Sequence, residues 1–124
     1  MGCTTRFDGK FIIDRPVDAE TEKKLRSVYY SDDTNIDGFP NGYCQWELAE
    51  DNQGIAWDGS EKFYDYIEWI EALIREILAP AGYKLNGKVI WSGEEVSDIG
   101  QITVIDNSVS VATGMEQMAK TISP

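Results

Sequence analysis

The sequence comes nearest to recognisable chemistry at Asp33-Thr34-Asn35-Ile36-Asp37-Gly38. This is the D-x-N-x-D-G spacing of a calcium loop. Oxygens at its first, third and fifth positions converge on one cation, and the glycine turns the chain sharply. The ligands here would be Asp33, Asn35 and Asp37. The twelfth position, however, is Cys44 rather than a bidentate glutamate, and a strand-like segment follows where a helix should. Half of the coordination sphere is then missing unless Glu47 or water supplies it. A plain Asp/Asn/Gly turn is the competing reading, and the missing ligands favour it.

Other chemistry is sparse. The chain has no histidine, which removes the commonest general base and the commonest transition-metal ligand together. Cys3 and Cys44 are too few and too widely spaced for a disulfide scaffold or a zinc site, and two reduced thiols are expected. No glycine-rich phosphate loop, nucleophile elbow or CxxC pair occurs. Carboxylates that hydrolyse a substrate must face each other across a cleft. Asp65, Glu68 and Glu76 instead recur along one side of a helical pattern, and Glu94-Glu95 sits in a turn, so both groups read as solvated acids. The expectation is a protein that binds rather than catalyses.

Charge says more about what it could bind. Twenty-two acids against eleven bases give a formal charge of −11, a surface that repels nucleic-acid phosphates and anionic membranes. Such a surface suits a basic protein, including one that normally holds nucleic acid; the plainer reading is that acidity keeps a small protein soluble. The opposite chemistry has four candidates, Arg6, Lys10, Arg15 and Lys88, around two Gly-Lys pairs. No apolar run approaches the roughly 20 residues of a membrane span, and no signal-peptide pattern is present. The expected setting is the cytoplasm, with no membrane or nucleic-acid partner.

The element that should organise these residues is the stretch from Asp58 to Gly82. Phe63, Ile67, Ile70, Ile74 and Ile77 repeat at spacings that form one apolar helical stripe. Asp58 and Glu61 resemble a capping box, and Pro80 and Gly82 stop the helix. Trp69 falls at the flank of the stripe, where it could anchor a partner beside Asp65, Glu68 and Glu76 or cap the edge of the core. A first helix is predicted from about Asp18 to Tyr30. Asp18 caps it, and Glu20/Lys24 and Glu22/Arg26 lie in the favourable acid-first order. Residues 31–42 read as a loop.

Strand patterns fill the remainder: residues 4–15, 43–50, 55–57, 83–91, 101–105 and a last one through Val109 and Val111. The order is β-α-β-β-α-β-β-β. It predicts an α+β fold with an antiparallel sheet and two helices on one face, a ferredoxin-like sandwich extended by C-terminal strands. Residues 1–112 form the expected single domain, and 113–124 a tail that docks as a short helix through Met115 and Met118 or frays. Phe7-Asp8-Gly9-Lys10-Phe11-Ile12 echoes Leu85-Asn86-Gly87-Lys88-Val89-Ile90, a match short enough to be chance or shared turn chemistry.

The segments GYCQWELAEDNQGIAWDGSEKFYDYIEWIEALI, GYKLNGKVIWSGEE and ITVIDNSVSV resemble a family of small, acidic bacteriophage and prophage proteins. Trp57-Asp58-Gly59, Lys62-Phe63-Tyr64 and Asn86 to Trp91 carry the likeness. The resemblance implies no catalytic residue. It implies a setting of phage–host conflict: a non-enzymatic inhibitor of a host defence factor, anti-CRISPR-like, acting as monomer or homodimer in an infected bacterium. An oligomeric binder of a nucleotide-like immune signal and an accessory virion protein are the alternatives.

Overall fold

The computed structural model describes residues 5–114. Cys3 and the proposed tail helix at Met115 and Met118 lie outside them. Six strands form one sheet: β1 (Arg6–Ile13), β2 (Trp46–Leu48), β3 (Gly54–Trp57), β4 (Leu85–Ser92), β5 (Ile99–Ile105) and β6 (Ser108–Thr113). Their spatial order is β2-β3-β1-β4-β5-β6, and every neighbouring pair is antiparallel. Helix α1 (Ala19–Tyr29) joins β1 to β2, and α2 (Tyr66–Leu73) begins the connection from β3 to β4. Each connection brackets a strand from the other, giving the split β-α-β arrangement of the expected α+β sandwich. The final strand runs through Thr113, so the ordered fold reaches past the anticipated boundary at 112.

One face of the sheet carries the core. Phe7, Phe11 and Ile13 of β1, Val89 and Trp91 of β4, and Ile102 and Val104 of β5 are buried in one cluster with Leu25, Ile70, Leu73 and Ile77 from the helical connections. Both helices therefore cover the same face. At its centre Phe7 meets Trp46, Trp57, Phe63 and Tyr66 with ring centroids 5.0–5.7 Å apart, mostly edge to face, the arrangement aromatic quadrupoles prefer.

Helix α1 forms as expected. Asp18, in extended conformation, accepts the Thr21 backbone N–H at 2.8 Å, and Glu22 pairs with Arg26 at 2.9 Å. Arg26 also reaches the Leu48 and Ala49 carbonyls and the Asn52 side chain, stitching α1 to the β2–β3 hairpin.

The second helix departs from the prediction at both ends. It starts at Tyr66, not near Asp58. Asp58 instead accepts the Ser60 N–H at 2.8 Å and the Tyr29 hydroxyl at 2.7 Å, so it cannot cap a helix. Lys62 and Asp65 adopt positive φ, and Asp65 begins the helix from a left-handed conformation with no side-chain cap. Phe63 is buried, but by the aromatic cluster and ahead of the helix. After Leu73 the chain winds as a π segment (Ile74–Leu78), closed by the Ala79 N–H on the Ile74 carbonyl. Beside Ala72, the buried residues are the large pairs Trp69/Ile70, Leu73/Ile74 and Ile77/Leu78, a repeat of four. Four residues overshoot an α-helical turn by about 40°, and the wider π turn takes up that drift. The last pair thus stays over the sheet.

The Gly-Lys echo has a structural basis. Lys10 and Lys88 are direct cross-strand partners, with Gly9 facing Val89 and Gly87 facing Phe11. Both glycines have positive φ, and a Cβ on either would collide with the backbone carbonyl of the opposite lysine. Glycine is thus required at both positions for β1 and β4 to approach this closely.

Candidate functional site

The structure scatters most of the residues singled out from the sequence. Trp69 is a core residue, 1% exposed, stacked on Phe39 at 5.8 Å, and is not a partner anchor. The expectation failed because the apolar stripe runs through Trp69 and Leu73, displaced from the isoleucine row. Its indole N–H is buried without an acceptor among the described residues, whereas those of Trp46, Trp57 and Trp91 each have one. Asp65 and Glu68 are exposed. Glu76 accepts from Arg75 at 2.8 Å, while Arg75 also holds the Gly38 carbonyl at 2.8 Å. That pair pins the 31–42 loop to the π segment and leaves Glu76 out of any common face with a buried Trp69.

Of the basic candidates, Arg6, Lys10 and Lys88 share the sheet face that no helix covers, since they alternate with the buried residues of β1 and β4. None of the three forms an ion pair with a described residue. Arg15 does not join them. Its guanidinium lies over the Tyr83 ring at 4.3 Å and bonds Asp14 and the Gly82 carbonyl. In the calcium-like loop, Asp33 turns an oxygen back to the Asn35 N–H at 2.9 Å, the geometry of an Asx turn. Glu47, which might have completed the sphere, sits in β2 on the uncovered face, opposite Ala56. Among the described residues no three His, Cys, Asp or Glu side chains converge on a metal position.

Two clefts remain. The larger, about 550 Å³, lies between α1 and the π segment, with Val28, Phe39 and Ile77 among its lining residues. Its rim carries both signs, Lys23 and Lys24 beside Glu20 and Glu76, and three of these four charges already have partners, Lys24 with Glu20 and Glu76 with Arg75. It favours neither charge in a ligand.

The second cleft, about 420 Å³, is of one sign. Tyr29, Tyr30, Ser31 and Asp32 line it from the end of α1, Tyr43, Cys44 and Gln45 from the approach to β2, and Asp58 and Ser60 from the segment after β3. Among the described residues no lysine or arginine lines it. Tyr30 and Tyr43 stand 67% and 61% exposed, large aromatic surfaces open to solvent. Behind them the wall is rigid. The Tyr29 ring packs edge-on to Tyr30 at 4.8 Å, and its hydroxyl donates to Asp58. Gln45 is locked from both ends, donating to the Glu61 carbonyl at 2.8 Å and accepting from the Trp57 indole at 3.0 Å. Burial, then the Asp58 hydrogen bond, holds the Tyr29 phenol well above its usual pKa. Burial likewise pushes the Cys44 thiol up to about 12, so it is an unreactive part of the wall. Among the described residues Asp32 has no side-chain hydrogen bond or ion pair, and Asp58 keeps free lone pairs beside its two bonds.

Such an arrangement suits a cation. Tyrosine faces attract an ammonium or guanidinium, and the two carboxylates supply charge and hydrogen-bond acceptors. Sequence reasoning passed over Tyr30 and Asp32 because they sit beside a loop that suggested a metal. The available signal was aromatic residues inside a polar stretch, Tyr29-Tyr30-Ser31-Asp32 and Asn41-Gly42-Tyr43, where no core stripe can absorb them. No family model matches the chain, and no curated protein or solved structure is significantly similar to it.

Proposed function

We propose that the protein is a non-enzymatic binding protein of bacteriophage type that blocks a basic host factor, such as the nucleic-acid-handling component of a defence system. The observation that carries this reading is the tyrosine-flanked cleft, lined by Asp32 and Asp58 and, among the described residues, by no lysine or arginine, on a chain of formal charge −11. An arginine or lysine from a nucleic-acid groove enters the cleft, Tyr30 and Tyr43 cover it, and the acidic surround speeds encounter. The likeness to acidic phage proteins supplies the setting.

The test is inhibition of purified host defence nucleases, scored with the intact protein and with variants. Tyr30→Ala with Tyr43→Ala should weaken binding roughly thirtyfold, the effect of a 2 kcal/mol hot spot. Neutralising Asp65 and Glu68 should change mainly the salt dependence of association. An inhibited nuclease bound equally well by the double tyrosine variant would remove the cleft from the mechanism.

One observation favours a second reading, a binder of an anionic, nucleotide-like ligand. Lys10 and Lys88 face each other across β1 and β4, a like-charge pair that is unfavourable until an anion joins it. Under this reading adenosine diphosphate should raise the melting temperature of the protein, and Lys10→Met with Lys88→Met should abolish that rise. No rise would dismiss it.

A further inference from the structure

A cleft that takes a cation can still discriminate between the two basic side chains, and Asp58 is placed to do so. Its carboxylate is fixed in three ways. The Asp58 backbone N–H donates to the Gln45 carbonyl at 3.0 Å, Oδ1 accepts the Ser60 N–H at 2.8 Å, and Oδ2 accepts the Tyr29 hydroxyl at 2.7 Å. Both oxygens are thus held, and each keeps a further lone pair in the plane of the group. The rest of the wall offers less. The Gln45 side chain is already engaged at both ends, and the Cys44 thiol is buried with the Trp46 carbonyl at 3.5 Å as its acceptor. Asp32 is exposed and, among the described residues, its carboxylate is held by nothing.

We infer that the cleft takes an arginine of a partner protein in preference to a lysine, and that Tyr29 sets this preference by holding Asp58. The inference rests on the reading of the cleft as a cation site and adds which cation it selects. A guanidinium is planar and presents parallel N–H pairs, so one arginine meets both held oxygens of Asp58 at once. An ammonium is a point charge on a flexible stem and gains nothing from that alignment. The walls agree. Tyr30 and Tyr43 expose aromatic faces on which a flat guanidinium stacks while its edge stays hydrogen-bonded, and the Tyr29 ring steadies Tyr30 at 4.8 Å. A guanidinium is also more weakly hydrated than an ammonium, so leaving water for the cleft costs it less. Tyr29 acts through Asp58 and is a positioning residue. Burial, then the Asp58 hydrogen bond, keeps its phenol protonated at neutral pH, so the hydroxyl remains a donor. Free arginine is the other source of a guanidinium. It brings an α-carboxylate that Asp32 and a chain of formal charge −11 repel, so the occupant is an arginine within a polypeptide.

NMR titration of the backbone amides with two blocked peptides of equal charge, acetyl-Gly-Arg-Gly-amide and acetyl-Gly-Lys-Gly-amide, tests this. Both should move the Tyr30, Tyr43 and Ser60 resonances. The arginine peptide should bind about tenfold more tightly, the effect of one additional charge-assisted hydrogen bond. Tyr29→Phe keeps the ring and removes the hydroxyl. It should weaken the arginine peptide alone and bring the two affinities within about twofold of each other. Asp58→Asn should weaken both peptides, the arginine peptide more, and the spectrum of each variant reports whether the fold persists. An arginine preference that survives Tyr29→Phe, or a Tyr29→Phe variant that loses both peptides alike, overturns the role of Tyr29. Equal affinities in the intact protein overturn the arginine preference and leave the cleft a cation site. Peptides that move none of the cleft resonances overturn the cation reading with it. Free L-arginine binding as tightly as the blocked peptide overturns the assignment to a protein partner.

Discussion

The two helices reach the same face of one sheet by opposite routes. Helix α1 is specified by its own residues: Asp18 caps it, Glu22 and Arg26 brace it, and of its apolar side chains only Leu25 is buried. Helix α2 is specified by what surrounds it. It begins at a left-handed, uncapped Asp65, and it widens into a π segment so that three successive apolar pairs stay against the sheet. The difference is one of burial. A surface helix must satisfy its own ends and flanks, whereas a helix held by seven buried side chains can tolerate a poor start and a distorted turn. Tertiary packing outweighs propensity in that case.

That contrast breaks first, and most visibly, under truncation of the core. Trp69→Ala removes a fully buried indole stacked on Phe39 and should cost about 3–5 kcal/mol. Leu25→Ala, the corresponding deletion in α1, lies at the margin of the core and should cost about 2–3 kcal/mol. Urea denaturation of both variants checks the order. Equal losses would mean that α1 is as deeply committed to the core as α2.

The same contrast explains what could be read in advance. Helix α1, the β2–β3 hairpin and the strand alternation in β1 are local patterns: Cys44, Trp46 and Leu48 are all buried as their spacing required. The Asp106-Asn107 turn shows both residues at positive φ, as a two-residue hairpin demands. The start of α2 was hidden because Asp58 looks like a cap until Tyr29, far away in sequence, takes its oxygen. Trp69 was misplaced because Phe63 and four isoleucines fit one stripe of a regular helix, whereas the helix begins only at Tyr66 and buries Trp69 and Leu73 beside Ile70. The cleft depends on three segments meeting, at Tyr30, Tyr43 and Asp58, and such a meeting has no local pattern. Only its ingredients, exposed tyrosines in polar sequence, were visible.

Acid should sharpen the comparison next, on α1 alone. Backbone and side-chain hydrogen bonds from Thr21 hold Asp18 below the usual carboxylate range, and Arg26 and then Asn52 do the same for Glu22. A carboxylate with a depressed folded-state pKa contributes stability above its unfolded value, near about 4, and loses it as pH falls through the folded value. Asp18→Asn with Glu22→Gln keeps a capping oxygen and hydrogen-bond capacity but removes the titration. The double variant should therefore start less stable at neutral pH and lose less on going from about pH 5 to pH 3. Melting temperatures across that range decide it, and parallel curves for the two proteins would show that the α1 carboxylates do not govern the acid limb.

The smallest effect is also the most diagnostic, because one substitution should act with opposite signs at the two helix starts. Asp18 sits in extended conformation with its carboxylate on the Thr21 N–H, so Asp18→Gly removes a made hydrogen bond and loosens an unfolded chain already free to move; stability should fall. Asp65 sits at φ 57° with no capping bond, so glycine relieves the left-handed backbone and forfeits nothing at the cap. The relief is worth up to about 1 kcal/mol, partly offset by the entropy glycine adds to the unfolded state, leaving a net gain of a few tenths. Parallel urea titrations of Asp18→Gly and Asp65→Gly should move the midpoint in opposite directions. A loss at both positions would mean that Asp65 holds the start of α2 through its side chain after all, and that the two helices begin by the same rule.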